Sequence, residues 1–201
     1  WVSSLLGKRL VTGEASADYF SHPSAPEALA RTIPNAKIIV LLRDPVKRAF
    51  SDYQMFKTAG MESDDFDEGV LRCLDWIRDS KVEPLVSLAR QADKGVLRYI
   101  FRGVYVENVR RWQKLFPPGQ LLFLQSENLF CEPQQVANRV FDFLTVPPFQ
   151  LKTFDVLKKG KYGEPLSERA RSSLAKFYRP FNEELYGLIG EDFGWDKEYE
   201  I

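Results

Sequence analysis

The chain of 201 residues has few of the residues that cross-link secreted proteins or bind metals. It contains two cysteines, Cys73 and Cys131, which lie far apart, and one histidine, His22. This composition excludes a disulfide framework and carries no Cys/His metal motif, so we expect no metal site. The chain also lacks an Asn-x-Ser/Thr glycosylation motif. Together these absences favour a reducing, cytoplasmic setting.

An excess of charge and a long hydrophobic run are missing as well. The 28 basic residues balance 28 acidic residues, so the formal net charge is zero. Proteins that coat nucleic acid usually carry a basic excess, and we therefore expect no nucleic-acid partner. The apolar run over 38–42 is far shorter than the roughly 20 residues that a membrane-spanning helix needs. The length suits a single domain over 1–201 with its own hydrophobic core.

Hydrophobic periodicity and turn residues divide the chain into alternating strands and helices. The predicted strands cover 8–14, 37–42 and 120–125, and the predicted helices cover 24–33, 45–57, 64–79, 102–116 and 132–144. A loop over 145–166 precedes a last helical stretch, which Ser167 caps, Pro180 kinks or divides, and Gly190 ends. Strands separated by helices predict an α/β fold with a three-layer parallel sheet flanked by helices.

The segment over 37–53 carries the strongest functional signal. Its five apolar residues over 38–42, β-branched at the start, predict a strand covered on both faces. Asp44 is suited to cap the next helix, and Pro45 to its first position. Arg43 then lies at the carboxyl end of the strand, which is where open α/β sheets bind ligands.

A hydroxyl and two further cations follow on the predicted helix. Helical spacing puts Ser51 on one face with Lys47 and Arg48, near the positive end of the helix. A forked cation, a hydroxyl and a helix N-terminus predict an anion site that suits a phosphate. The alternative is a surface helix whose arginines are simply solvated.

The pattern Arg-Asp-Pro-x-x-Arg-Ala-x-Ser-x-Tyr, from Arg43 to Tyr53, resembles the 3′-phosphate-binding motif of the sulfotransferases. Those enzymes use 3′-phosphoadenosine 5′-phosphosulfate (PAPS) and release adenosine 3′,5′-bisphosphate. The resemblance implies that Arg43 and Ser51 hold the 3′-phosphate, that PAPS is the co-substrate without a metal, and that the fold is P-loop-kinase-like.

Two later segments resemble other parts of the family's nucleotide site. The glycine-flanked lysines over 158–163 resemble a loop that folds over the same phosphate, which implies roles for Lys159, Gly160, Lys161 and Tyr162. By itself this segment is better interpreted as a flexible basic loop. Ser126 follows the predicted strand over 120–125 and matches a segment that contributes to the adenine pocket.

The resemblance extends to the acceptor side of heparan-sulfate-type sulfotransferases. Residues 103–112 resemble their Gly-x-Tyr-x-x-x-Leu-x-x-Trp helix, which puts Arg102 and Tyr105 at a helix start that a substrate could reach. Residues 12–20 resemble the segment that lines the acceptor cleft. Glu14 is a candidate base there, with a solvated strand end as the alternative, and Ala15 replaces the family's lysine.

One family element does not occur in the sequence. The glycine-rich Lys-x-Gly-Thr/Ser-Thr/Ser loop, which holds the 5′-phosphosulfate, is missing, so the resemblance covers the later two-thirds of an N-terminally incomplete domain. The family's catalytic base would lie upstream too. An upstream anchor would change the expected compartment to the Golgi lumen.

Three functions stay open on the sequence alone. The first is a PAPS-dependent sulfotransferase that acts on a hydroxyl or amine of a carbohydrate, lipid or polyketide. The second is a non-catalytic nucleotide-binding or scaffold domain on the same fold. The third is a P-loop nucleotide kinase, which would prefer a 5′-triphosphate with magnesium.

Overall fold

The computed structural model describes residues 11–63, 65–79, 95–154 and 165–199. The described strands are β1 (Ile38–Leu42) and β2 (Leu121–Gln125). The described helices are α1 (Ala25–Thr32), α2 (Pro45–Thr58), α3 (Phe66–Asp79), α4 (Gly95–Phe101), α5 (Tyr105–Gln113), α6 (Ser126–Cys131), α7 (Pro133–Leu144) and α8 (Glu168–Ile189), with short 3₁₀ helices at Pro118–Gln120 and Trp195–Tyr199. Within these ranges no helix is long and apolar enough to cross a membrane.

The two strands form a parallel pair. Their register runs from Ile38 opposite Leu121 to Leu42 opposite Gln125. Parallel neighbours need a long crossover, which α2 to α5 provide. This arrangement confirms the predicted α/β fold with a parallel sheet, and the described part of the sheet has these two strands. Both strands end at the same edge, where their next residues, Arg43 and Ser126, follow.

The two faces of β1 differ in their environment. Val40 and Leu42 are buried against the core, whereas Ile39 is 37% exposed and Leu41 is 51% exposed. The prediction that β1 is covered on both faces is therefore wrong for the described chain. The apolar run predicted a strand, but only the packing shows that the core lies against one of its sides.

The predicted strand over 8–14 is wrong where the structure describes it. Residues 11–14 are exposed, have no regular structure and pair with no described strand. Because a strand is held by the hydrogen bonds of a neighbour, an apolar pair of residues such as Leu10 and Val11 is not sufficient to form one.

The predicted helix over 102–116 is interrupted at its start. The chain turns at Gly103, whose amide donates to the carbonyl of Ile100, and α5 begins at Tyr105. A Cβ atom on Gly103 would lie 2.7 Å from the hydroxyl oxygen of Tyr178 and 2.8 Å from two carbons of the same ring. The close approach of α8 thus requires a glycine here and places Arg102 in the turn between α4 and α5.

In helix α8 the two predicted end residues are confirmed, whereas the predicted division at Pro180 does not occur. Ser167 accepts a hydrogen bond from the amide of Ala170, and Gly190 ends the helix with a φ of 72°. Pro180 does not divide the helix, which is continuous over 168–189. Leu174 and Leu185 are buried on either side of Pro180, so core packing stabilises both halves despite the lost hydrogen bond.

We expect Gly103→Ala to destabilise the fold by about 1–3 kcal/mol, because the new methyl group must displace the buried ring of Tyr178. Urea unfolding measures the change. Gly187→Ala is the matched control, since its Cβ atom meets nothing within 4 Å inside α8. That control should stabilise the protein by about 0.5–1 kcal/mol through helix propensity. Equal stability of the two variants would contradict the conclusion that the close approach of α8 requires a glycine at position 103.

Candidate functional site

Two hydrogen bonds hold the backbone where β1 ends. The hydroxyl of Tyr105 donates to the carbonyl of Arg43 at 2.8 Å. The amide of Asp44 donates to Oε1 of Glu127 at 3.0 Å. The turn is therefore tied to both α5 and α6. These two helices fix the backbone position of Arg43 at the sheet edge.

The cations near this turn differ in their partners. Lys47 Nζ pairs with Oε2 of Glu198 at 2.5 Å, and a guanidinium nitrogen of Arg48 pairs with Oδ2 of Asp52 at 2.6 Å. The Arg43 side chain has no hydrogen-bond or ion-pair partner among the described residues. Of these three cations, Arg43 is the one that remains available to an anion.

Asp44 is completely buried beneath the turn. Its Oδ1 accepts from the amides of Val46 at 2.8 Å and Lys47 at 3.2 Å, which confirms the predicted helix cap. Its Oδ2 accepts from the hydroxyl of Tyr199 at 2.5 Å. Burial raises the pKa of Asp44, and the bond from Tyr199 opposes that rise by stabilising the ionised form.

The same cap corrects the predicted anion site. The side chain of Asp44 takes the amides of Val46 and Lys47, and its carbonyl accepts from the amide of Arg48. The amides of Val46 and Lys47 are donors that a helix N-terminus would otherwise offer to an anion, whereas the bond of the Arg48 amide is the first ordinary bond within the helix. The first amides of α2 are therefore already used, and an anion at this edge would need side-chain ligands.

Arg48 also departs from its predicted place. Besides its pair with Asp52, its guanidinium donates to the carbonyl of Tyr99, and its buried Nε has no hydrogen-bond partner among the described residues. These contacts direct Arg48 into the protein, whereas the sequence spacing put it beside Ser51 facing an anion. Ser51 lies half-buried in α2, and its role as a phosphate ligand stays a prediction.

The two residues predicted at the start of α5 have different environments. Tyr105 is 5% exposed and its hydroxyl donates to the Arg43 carbonyl, and its role as a substrate contact stays a prediction. Burial raises the pKa of Tyr105, which keeps its hydroxyl a proton donor. Arg102 is exposed, and its guanidinium pairs with Oδ1 of Asp18 at 3.0 Å.

The segment that carries Glu14 is attached to α5. Trp112 Nε1 donates to the carbonyl of Phe20 at 3.1 Å, and the Phe20 ring lies 6.3 Å from that of Tyr105. Glu14 is exposed, and its hydrogen bond with Tyr19 raises the pKa of that tyrosine. The structure thus brings the segment that carries Glu14 next to Tyr105, whose hydroxyl binds the Arg43 carbonyl.

The remaining predicted ligands are Ser126 and the basic loop. Ser126 lies beside Arg43 at the sheet edge, and its Oγ is 3.4 Å from Oε2 of Glu127. Lys159, Gly160, Lys161 and Tyr162 lie outside the described residues. In the part of the chain that the structure describes, no group of His, Cys, Asp and Glu is arranged to hold a metal ion.

Sequence reasoning missed the C-terminal 3₁₀ helix. It carries Tyr199, which binds Asp44 across 155 residues of sequence, and Glu198, which binds Lys47. The guanidinium of Arg171 lies over the ring of Tyr199, 5.0 Å from its centroid, and supports the contact. No local pattern signals such a contact, because it depends on how the chain returns to the sheet edge.

Comparisons with known proteins agree on one family. Residues 19–169 match the model of the sulfotransferase domain. Heparan sulfate glucosamine 3-O-sulfotransferase 3B1 of Mus musculus is 30% identical, over 98% of this chain and 53% of the relative. Heparan sulfate glucosamine 3-O-sulfotransferase 6 of the same organism is 31% identical, over 98% of this chain and 60% of the relative.

A solved structure agrees with these sequence matches. The crystal structure of a sulfotransferase from Alicyclobacillus acidocaldarius superposes with a TM-score of 0.70 at 25% identity, covering 92% of this chain and 67% of that one. The chain spans 53% of the length of the relative 3B1. These matches confirm the family that the motif from Arg43 to Tyr53 predicted, and the chain belongs to the sulfotransferase family.

Proposed function

We propose that this protein is a PAPS-dependent sulfotransferase. The observation that carries the proposal is the Arg43 guanidinium, which has no partner among the described residues and leaves a turn held by Tyr105 and Glu127. An unpaired guanidinium at the carboxyl end of a parallel strand suits the bidentate binding of a phosphate. The 3′-phosphate is the group that distinguishes PAPS from ordinary adenine nucleotides.

The residues at the sheet edge fit the adenosine end of this co-substrate. Arg43 would hold the 3′-phosphate with Ser51, and Ser126 would lie near the base. Lys159, Gly160, Lys161 and Tyr162 remain proposed ligands on the strength of their sequence. Because the amides of α2 are taken by Asp44, the binding energy for the 3′-phosphate is expected to come from these side chains.

The chemistry is an in-line sulfuryl transfer. PAPS supplies a sulfuryl group bonded to the oxygen of its 5′-phosphate. An acceptor oxygen or nitrogen forms a bond to sulfur while the bond to that phosphate oxygen breaks, and a base takes the proton of the acceptor. Glu14 is the described carboxylate that we propose on the acceptor side. A carbohydrate hydroxyl is the acceptor that the names of the two 3-O-sulfotransferase relatives support, and an amine is the alternative acceptor.

The cysteines bear on the compartment in which this chemistry takes place. Cys73 is buried and Cys131 is exposed, and both are free thiols. Exposed free thiols are typical of reducing compartments. This supports the cytoplasm as the proposed location, and an anchor encoded upstream would favour the Golgi lumen.

Arg43→Ala should weaken the binding of adenosine 3′,5′-bisphosphate about 10- to 100-fold, because it removes a charge-assisted hydrogen bond pair worth about 1.5–3 kcal/mol. Calorimetric titration of the chain measures the affinity. Binding of 5′-AMP should change little, since 5′-AMP lacks the 3′-phosphate.

Arg31→Ala is the control for this experiment, because Arg31 is an exposed arginine in α1. A second titration with ATP and magnesium tests the kinase alternative. Tighter binding of ATP than of the bisphosphate, or an equal loss in the Arg43 and Arg31 variants, would overturn the proposal. PAPS-dependent transfer to an acceptor then distinguishes the enzyme from a scaffold domain.

Tyr105→Phe should lower the preference for adenosine 3′,5′-bisphosphate over 5′-AMP about 2- to 10-fold, because it removes one hydrogen bond that positions Arg43. Tyr178→Phe is the matched control. Tyr178 is also fully buried, and its hydroxyl donates to the carbonyl of Ile100 at 2.7 Å and not to the carbonyl of Arg43. Both variants should lose similar stability in urea unfolding. An unchanged preference in Tyr105→Phe would show that this tyrosine is merely structural.

A further inference from the structure

The C-terminal 3₁₀ helix contacts the first turn of α2 through two neighbouring side chains. The hydroxyl of Tyr199 donates to Oδ2 of the buried Asp44 at 2.5 Å. Oε2 of Glu198 pairs with Nζ of Lys47 at 2.5 Å. The last described part of the chain is therefore attached to the cap of α2, at the residue that directly follows Arg43.

Helix α8 supports this 3₁₀ helix at both of its ends. The guanidinium of Arg171 lies 5.0 Å from the centroid of the Tyr199 ring, and its Nη2 donates to the carbonyl of Glu198 at 3.2 Å. Near the start of the 3₁₀ helix, the buried side chain of Asn182 donates to Oδ1 of Asp196 at 3.1 Å. The tyrosine hydroxyl is thus presented to the cap of α2 from a supported position.

The peptide unit between Arg43 and Asp44 is held on both of its polar atoms. Its carbonyl oxygen accepts from the hydroxyl of Tyr105, and its amide donates to Glu127. The side chain of Asp44 is a third attachment of the same turn, since Oδ1 takes two amides of α2 and Oδ2 takes the hydroxyl of Tyr199. Together these attachments fix the backbone from which the Arg43 side chain extends.

Loss of the Tyr199 hydroxyl would disturb this attachment from the inside. Oδ2 of Asp44 would lose the donor that the described residues supply, in a side chain that is completely buried. A buried carboxylate oxygen without a donor is costly, so the carboxylate has to turn towards another one. That rotation pulls Oδ1 away from the amides of Val46 and Lys47 and shifts the turn that carries Arg43. Because a guanidinium binds a phosphate through matched hydrogen bonds, a small shift weakens that contact.

We propose that Tyr199 is a positioning residue of the 3′-phosphate site, which acts through Asp44 to fix the place of the Arg43 guanidinium. The inference rests on the proposed function and adds to it a residue that lies outside residues 19–169, the range that matches the sulfotransferase domain. Tyr199 does not need to touch the nucleotide, because its hydroxyl is already bonded to Asp44. Its removal therefore affects recognition of the 3′-phosphate and not of the rest of the nucleotide.

The test compares Tyr199→Phe with the unaltered 201-residue chain by calorimetric titration with adenosine 3′,5′-bisphosphate and with 5′-AMP. The variant should lose about 3- to 10-fold of its affinity for the bisphosphate, because part of the effect of one lost hydrogen bond to a charged group reaches Arg43. The affinity for 5′-AMP should not change, since 5′-AMP lacks the 3′-phosphate. A merely structural role would lower both affinities or neither.

Tyr99→Phe is the matched control. Tyr99 is also a buried tyrosine whose hydroxyl donates to a carboxylate, but its partner is Oε2 of Glu62 at 3.2 Å and not Asp44. The preference for the bisphosphate over 5′-AMP should therefore fall in Tyr199→Phe and stay unchanged in Tyr99→Phe. An unchanged preference in Tyr199→Phe, or an equal fall in both variants, would overturn the inference.

A double-mutant cycle tests whether Tyr199 acts through Asp44. Asp44→Ser keeps an oxygen that can cap α2 and removes the oxygen that Tyr199 binds. When it is added to Asp44→Ser, Tyr199→Phe should cause little further loss of preference. A further loss as large as that in the unaltered chain would contradict the proposed route. If the unaltered chain binds the bisphosphate no more tightly than 5′-AMP, the proposed function itself is overturned.

Discussion

The buried carboxylate of Asp44 is the interaction on which the sheet edge depends. A carboxylate without water is stable only when donors surround it, and here two amides of α2 and the hydroxyl of Tyr199 supply them. Its own amide is held in turn by Glu127. One buried residue thus joins the end of β1, the start of α2, the start of α6 and the C-terminal 3₁₀ helix.

This network also determines which groups remain available for binding. Because Asp44 uses the first amides of α2, the helix end is closed to an anion. Because Glu198 and Asp52 neutralise Lys47 and Arg48, Arg43 is the one of these three described cations whose charge has no carboxylate partner among the described residues. A guanidinium held in this way suits a single, well-placed phosphate, whereas a general basic patch would bind many anions.

Several features followed from the sequence because they depend on neighbouring residues. The Asp44–Pro45 cap, the strand over 38–42 and the end of α8 at Gly190 arise from local conformational preferences, and each was predicted within one or two residues. The predicted part of Arg48 in an anion site does not match its contacts, because its guanidinium pairs with Asp52 and donates to the Tyr99 carbonyl. Spacing along a helix defines a face, but it does not say whether that face meets solvent or another helix.

The sequence by itself determined the α/β class, because strand and helix patterns alternate along the chain, and it determined the family and the candidate phosphate arginine, because one short motif carries both. Only the tertiary structure decided which polar groups are already satisfied. The partners of the Arg43–Asp44 turn, Tyr105, Glu127 and Tyr199, lie 62, 83 and 155 residues away along the chain. Hydrogen bonds over such separations form only when packing brings distant elements together. No local pattern could therefore show that Arg43 stays available while Arg48 does not.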